Sequence, residues 1–562
     1  MNEFAKTGAI TGGAVLLAVV ASLMGPKAVT PDRYNDEGQE FFSALKDADA
    51  VVDLEVTEFR ESTTDVGKFK VMRNDKGVWT IPSHGNYPAD AKDRMGKAAA
   101  LFLGLTKERV VGDEPGRHVE FGVVDPLAEG ADTAGRGKRV TMKDSAGNVL
   151  ADLILGKEVE GKMDTYYVRV PDKKRVYAVK LGGEVSTKFA DWIETDLLKA
   201  QSWDIAKVTF DNYSVDEQKG EVVPGDKYVL TKDAAGKWNF DGIDSTKEEA
   251  NEEKMREIGE TLGQIKIVGV RSKPEGITAS LETASGFDRQ ILMQMLIQKG
   301  FFPARGGKLY SNEGDLLFET KKGVRYTLRF GELVPGEGDE VTSGAASPKG
   351  QDPKSGETGP QPVAANNRYL MVAAEFDENL LDKPKGLRLP QEQLDKRREA
   401  KAEIQKIVAA VDAYRAKNEQ KLPESLQKLT EKPAEGEALL AELKADPWGG
   451  AYALEAQGEG FAIVSWGADK AAGGEADGAD VRSDRFSLED EFAAAAGEWS
   501  AYDTKVEEGR KEADKLTKRF GPWYYVIDQA LFDKLKPKRA DLVKQKSAEA
   551  PVTAPATGNG DK

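Results

Sequence analysis

The chain has 562 residues, no cysteine, only two histidines and a net charge of -16. Those numbers exclude disulfides, zinc–thiolate and iron–sulfur sites, a cysteine nucleophile, a lipidated N-terminal cysteine and any His-rich metal centre. They also leave no basic footprint for nucleic acid. The length suggests about three or four domains of ~150 residues.

In chain order, the first element is an uncharged stretch between Lys6 and Lys27, with the apolar run Ala14–Ala21 at its centre. It approaches the ~20 residues that cross a bilayer as a helix. The reading is an uncleaved N-terminal transmembrane anchor, residues 1–27, with everything after Lys27 exported. A cleaved signal peptide is the alternative, although Ala21-Ser22-Leu23-Met24-Gly25 makes a poor cleavage site. A buried soluble helix is the third reading.

Two long stretches then read alike. Lys68–Arg73 and Lys227–Lys232 alternate as strands, pass a Gly-containing turn, and enter strands that carry Trp79 and Trp238. Helical periodicity follows over Asp90–Leu103 and over Glu248–Leu262. Each stretch later gives a hairpin ending in an apolar-Gly pair (Leu155-Gly156 and Phe330-Gly331) and a further strand (Tyr166–Val170 and Arg368–Val372). The expectation is an α+β fold with two repeated β-rich units, 40–206 and 207–390. Trp79 and Trp238 read as core anchors, with a carbohydrate-stacking role as the sharper alternative. Residues 335–366 and the tail 547–562 read as disordered from their Gly, Pro, Ser and acidic content.

This region resembles the bacterial family called domain of unknown function 4340. The resemblance rests on the Trp79 strand, Tyr87-Pro88-Ala89-Asp90, Phe121–Pro126, Leu155-Gly156-Lys157, and Tyr167-Val168-Arg169 followed by Val176-Tyr177. It resumes at Arg519–Ile527 and covers most of 40–390 and 515–545. It implies an anchored extracytoplasmic protein encoded beside ABC-type transporters, and it defines no chemistry.

Residues 397–490 have another character. A helix over Ala400–Asn418 carries Ile404, Ile407, Val408, Val411 and Tyr414 on one face. Leu426 and Leu429 mark a short second helix. Asp446-Pro447-Trp448-Gly449 precedes a strand pair, Ala451–Glu455 and Gly460–Ser465. A Gly-rich acidic loop, Trp466–Val481, follows. This order resembles the globular domain of the type II secretion major pseudopilin, the G protein. The prepilin signature is missing from the N-terminus, so the chain is not expected to polymerise as a pilin. The module reads instead as a domain inserted into the older family, with 499–545, a helix and strand, completing the repeat region.

Calcium takes six to eight hard oxygens at ~2.3–2.6 Å, which a flexible acidic loop can supply. Asp469, Asp477 and Asp480 lie on one such loop. The pseudopilin resemblance implies calcium there, bound by the Asp469 and Asp477 carboxylates and the carbonyls of Trp466 and Ala471, with Asp480 as a further ligand or partner. A solvated acidic loop without metal is the plain alternative.

No Gly-x-Ser-x-Gly elbow, phosphate-binding loop or His-Glu-x-x-His helix occurs. His84, in Pro82-Ser83-His84-Gly85, reads as surface decoration of a turn, and His118 as preceding a strand. A glycosidase carboxylate pair is not legible from sequence, because its diagnostic is a distance. The expected protein is a non-catalytic scaffold of the cell inner membrane, single-pass, with its bulk periplasmic. Its expected partners are proteins of an envelope transporter complex, with no nucleic acid. The alternative is a type II secretion component acting through the pseudopilin-like module.

Overall fold

The computed structural model describes residues 2–24, 36–60, 64–130, 133–273, 287–304, 308–334, 339–342 and 367–546. The chain is mixed α+β. Strand alternation lays down two large antiparallel sheets. In Asp53–Arg60 and Asp65–Arg73 the apolar side chains Leu54, Val56, Phe69 and Val71 point inward and are buried, while charged partners such as Lys70 and Asp53 pair across the other face.

The first sheet has nine strands in the order Tyr87–Pro88, Trp79–Ile81, Asp65–Arg73, Asp53–Arg60, Lys138–Lys143, Val149–Glu158, Thr165–Arg169, Val176–Lys180 and Arg109–Gly112. The second has eight: Trp238–Phe240, Lys227–Lys232, Ile205–Asp211, Asp315–Thr320, Val324–Val334, Asn367–Phe376, Trp523–Asp528 and Gly269–Ser272. From the tryptophan strand onward the two orders correspond strand for strand. The registers agree as well: Trp79 sits opposite Arg73 and Trp238 opposite Lys232. Trp238 is buried, with Lys232 Nζ 4.6 Å over its ring, whereas Trp79 is half-buried against the same core. Both pack into the core, as the core-anchor reading expects.

Helix α1 spans Glu3–Met24 and leaves Ile10, Val15, Leu16, Leu17 and Val20 exposed. Among the described residues no helix is long and apolar enough to cross a membrane. Several α1 side chains lie outside the described residues.

Corresponding helices, α2 (Lys92–Ala100) and α3 (Glu252–Leu262), lead into the edge strands Arg109–Gly112 and Gly269–Ser272. The second helix starts later than its periodicity predicts. Glu248–Ala250 instead pairs as a strand with Val543–Gln545, and Arg539 grips the Glu248 carboxylate at 2.7 and 2.9 Å. Asn251 then caps the helix by accepting the Lys254 N–H. The two sheets share one continuous core, in which Tyr87 of the first meets Trp523 of the second edge-on at 4.9 Å.

Three expectations are corrected here. His84 is 4 % exposed, stacked on Phe189 at 4.5 Å, because its turn is folded inward at the junction of the sheets. His118 opens a short helix, His118–Phe121, and its Nε2 meets the Lys174 carbonyl at 2.8 Å. Within 335–366, Asp339–Thr342 forms a helical turn, because Val341 finds an apolar seat against Val334 and Val526. The rest of that segment and the tail 547–562 lie outside the described residues.

Candidate functional site: the acidic loop of the inserted module

The module enters between Asn367–Phe376 and Trp523–Asp528, which are neighbours in the second sheet. Helix α4, Gln391–Lys417, leads in, and helix α5, Phe486–Phe520, leads out. The first starts earlier than Ala400, directly after Pro390, which cannot sit inside a helix but suits its start. Between them stand a short helix at Leu426–Thr430 and a three-stranded sheet of Ala453–Gln457, Gly460–Ser465 and Val481–Arg482. Ile404, Ile407 and Val411 of α4 pack on Leu429, Ile463 and Val481 as a core separate from that of the large sheets.

Asp446 organises the turn before this sheet. Its Oδ1 accepts the N–H groups of Trp448 (3.1 Å) and Gly450 (2.6 Å), and its Oδ2 accepts Ser465 Oγ at 2.5 Å. With both oxygens engaged and 5 % exposure, this carboxylate is structural. The turn is tied to α4 by Trp448 Nε1, which donates to Gln393 Oε1 at 2.9 Å.

The acidic loop then wraps through a series of left-handed residues: Gly467, Lys470, Gly473, Gly474 and Ala476. Three of the five are glycine, which adopts that region without a Cβ penalty. Asp469 Oδ1 accepts the Ala471 N–H at 3.0 Å. Its Oδ2 lies so close to Gly474 and Gly478 that a methyl group added there would sit 2.8 and 3.0 Å from it. Asp480 Oδ2 accepts the Gly473 N–H at 3.0 Å, while its Oδ1 is buried without a hydrogen-bond partner. Trp466 is half-buried, and Ala471 and Lys470 are exposed. The Asp477 side chain lies outside the described residues. Among the described residues no group of three or more His, Asp or Glu side chains is placed to hold a metal ion. Two features fit a hard cation: an orphaned buried carboxylate oxygen, and a glycine-lined cradle around a second carboxylate.

Sequence reasoning missed the group that secures this loop. Arg397 and Glu489 form a bidentate pair at 2.9 and 2.6 Å, with side-chain exposures of 2 % and 7 %. Arg397 also donates to the carbonyls of Ala479 (2.6 Å) and Asp480 (3.4 Å) and stacks over Phe492. One guanidinium thus joins α4, α5 and the end of the acidic loop. A signal was present: Arg397 stands on the same helical stripe as Ala400, Ile404, Ile407 and Val411, a charge on an apolar face.

Residues 389–484 match the family model for Type II secretion system (T2SS), protein G. Residues 79–289 match the Domain of unknown function (DUF4340). Both resemblances hold. The DUF4340 match runs from the tryptophan strand of the first sheet into the second unit, so it crosses the repeat rather than marking one copy. It is narrower than the motif-based extent. A comparison with curated proteins finds no match. The protein G-like module therefore sits inside the strand order that the DUF4340 region begins.

Proposed function

We propose that the chain is a non-catalytic, membrane-anchored scaffold that presents its protein G-like module to protein partners of an envelope complex outside the cytoplasm. The observation that carries this reading is the mounting of the module. Helix α5 runs unbroken for 35 residues, about 52 Å at 1.5 Å per residue. Phe492 and Ala495 lie at its module end, and Ala513, Leu516 and Phe520 lie in the core of the large sheets. A rigid strut of this kind suits presentation or coupling. Type II secretion is the partner system that the module's family supports; an ABC-type transporter is the one that the DUF4340 resemblance supports.

Anchoring is supported by α1, whose 22 residues would span about 33 Å against a hydrocarbon thickness of about 30 Å, with Ile10, Val15, Leu16, Leu17 and Val20 exposed. Membrane fractionation with protease protection tests it: the body should pellet with membranes and be cut only from the extracytoplasmic side. A soluble cytoplasmic product would sink the anchor.

The module's loop binds calcium in this reading, through Asp469, Asp477 and Asp480 with the carbonyls of Trp466 and Ala471. The ion would supply the charge that offsets carboxylate repulsion. A ligand bound only by the folded form stabilises it by about 2.7 kcal/mol at a hundredfold excess over Kd. In the full chain, the module's unfolding should rise with calcium relative to a chelator, and Asp469→Ala should abolish that rise. Asp484→Ala, which breaks a pair with Arg482, should lower both curves and keep the difference. Equal melting with calcium and chelator in the unaltered chain would leave only an acidic loop.

A further inference from the structure

We propose that a groove on the second repeat unit binds a neutral saccharide, with the Trp203 indole as its stacking platform. The groove holds about 600 Å3 and lies between the turn at Ser202–Trp203, the hairpin at Gly236 and helix α3. Trp203 is 67 % exposed, while the other tryptophans are buried or half-buried. A bare indole at the edge of a formed groove offers a flat apolar face, and the C–H face of a pyranose ring complements such a surface.

The fold does not require an aromatic residue there. Asp53 and Lys207 hold corresponding places, since each pairs with the residue just before the partner of Trp79 or Trp238. The residue as far upstream of Asp53 as Trp203 is of Lys207 is Asp49, an exposed aspartate. The first unit therefore folds without the platform.

The polar lining narrows the ligand class. The groove carries three cations, Lys232, Lys237 and Arg256, and three carboxylates, Glu252, Glu253 and Glu260. Balanced charge disfavours a polyanion, an anionic lipid surface and a basic peptide alike. Lys237 pairs with Glu252 at 3.3 Å and Arg256 with Glu260 at 3.8 Å, whereas Glu253 holds no ion pair among the described residues. Mixed donors and acceptors around one aromatic face suit hydroxyl groups, which both donate and accept. Gly236 and Gly259 keep side chains off two sides of the groove. Lys232 Nζ donates to the Ser202 carbonyl at 2.8 Å and so fixes the turn that presents the indole.

The test is titration of the full chain, followed by calorimetry, with oligomers of β-1,4-glucose, α-1,4-glucose and β-1,4-N-acetylglucosamine. At least one should bind saturably. Trp203→Ala should weaken that binding by about tenfold or more, the scale of removing a central aromatic contact, with unchanged thermal unfolding. Trp203→Phe should retain most of it. The proposal is overturned if none of the three saturates or if binding survives Trp203→Ala. It is equally overturned if Trp203→Ala alters only the self-association of the chain, which would make the indole a contact between copies.

Discussion

The two large sheets complete the same connection in opposite ways. In the first, Arg169 turns through residues 170–175 and returns at Val176, its direct partner. In the second, the corresponding strands Asn367–Phe376 and Trp523–Asp528 are also hydrogen-bonded neighbours, yet the whole protein G-like module lies between them. A hairpin end tolerates this because the chain leaves and re-enters at adjacent points on the surface, and because the entropy of closing a loop grows only slowly with its length. The second connection also does something the first does not. Its return helix lies across the sheet, with Thr517 Oγ1 donating to the Ala374 carbonyl at 2.9 Å, so the insertion is braced rather than tethered.

If the module keeps a core of its own, damage at Arg397 should stay local. Arg397→Ala leaves Glu489 buried and unpaired and frees two carbonyls, a change that costs about 3–5 kcal/mol. Calorimetry of the full chain should show the module's transition falling while that of the large sheets holds. Arg397→Met with Glu489→Leu should recover most of the loss. A uniform fall of both transitions would show that the two cores melt as one.

The junction of the sheets should respond to pH instead. Burial, with the Arg271 charge adding to it, pushes His84 down to about 4 from 6.5. Its Nε2 is buried without a hydrogen-bond partner. Between those values the unfolded chain takes up a proton that the folded one refuses. Stability is therefore complete above pH 6.5 and declines as pH falls toward 4, by at most about 3 kcal/mol. Denaturant unfolding across that range should show the slope on the large-sheet transition, and His84→Gln should flatten it. A slope unchanged in His84→Gln would assign it to carboxylates elsewhere.

Much of this architecture was legible because alternation, tryptophan-bearing strands and Asp-Pro-Trp-Gly are local signals. Leu155-Gly156 and Phe330-Gly331 do fall on corresponding strands, but they do not end them: the strands run on to Glu158 and Val334 through register shifts just after the pair. The sequence could not show that Glu248–Ala250 is a strand, because the partner is the distant Val543–Gln545. His84 was misread for a related reason. Pro-Ser-His-Gly marks a turn, but which side of the turn faces Phe189 is set by tertiary packing. Asp469, Asp477 and Asp480 stand out in the sequence as acids on one Gly-rich run; the Arg397–Glu489 pair that holds the loop end does not, because 92 residues separate its members.

The bracing of α5 can be tested with two glycines on that one helix. Gly509 lies where the helix crosses the second sheet, and a methyl group there would come within 2.5 Å of both the Lys322 carbonyl oxygen and the Phe376 ring. Backbone cannot yield as a flexible side chain can, so Gly509→Ala should cost about 1–3 kcal/mol of overpacking. That outweighs the gain of about 1 kcal/mol expected from alanine in a helix. Gly497, nearer the module, has nothing within 4 Å of the same position. Gly497→Ala should therefore stabilise by about 0.5–1 kcal/mol. Opposite signs from the same substitution on one helix would show that α5 is seated on the sheet at Gly509 and free in solvent at Gly497. Stabilisation at both sites would mean that the helix stands off the sheet and that the module is merely tethered.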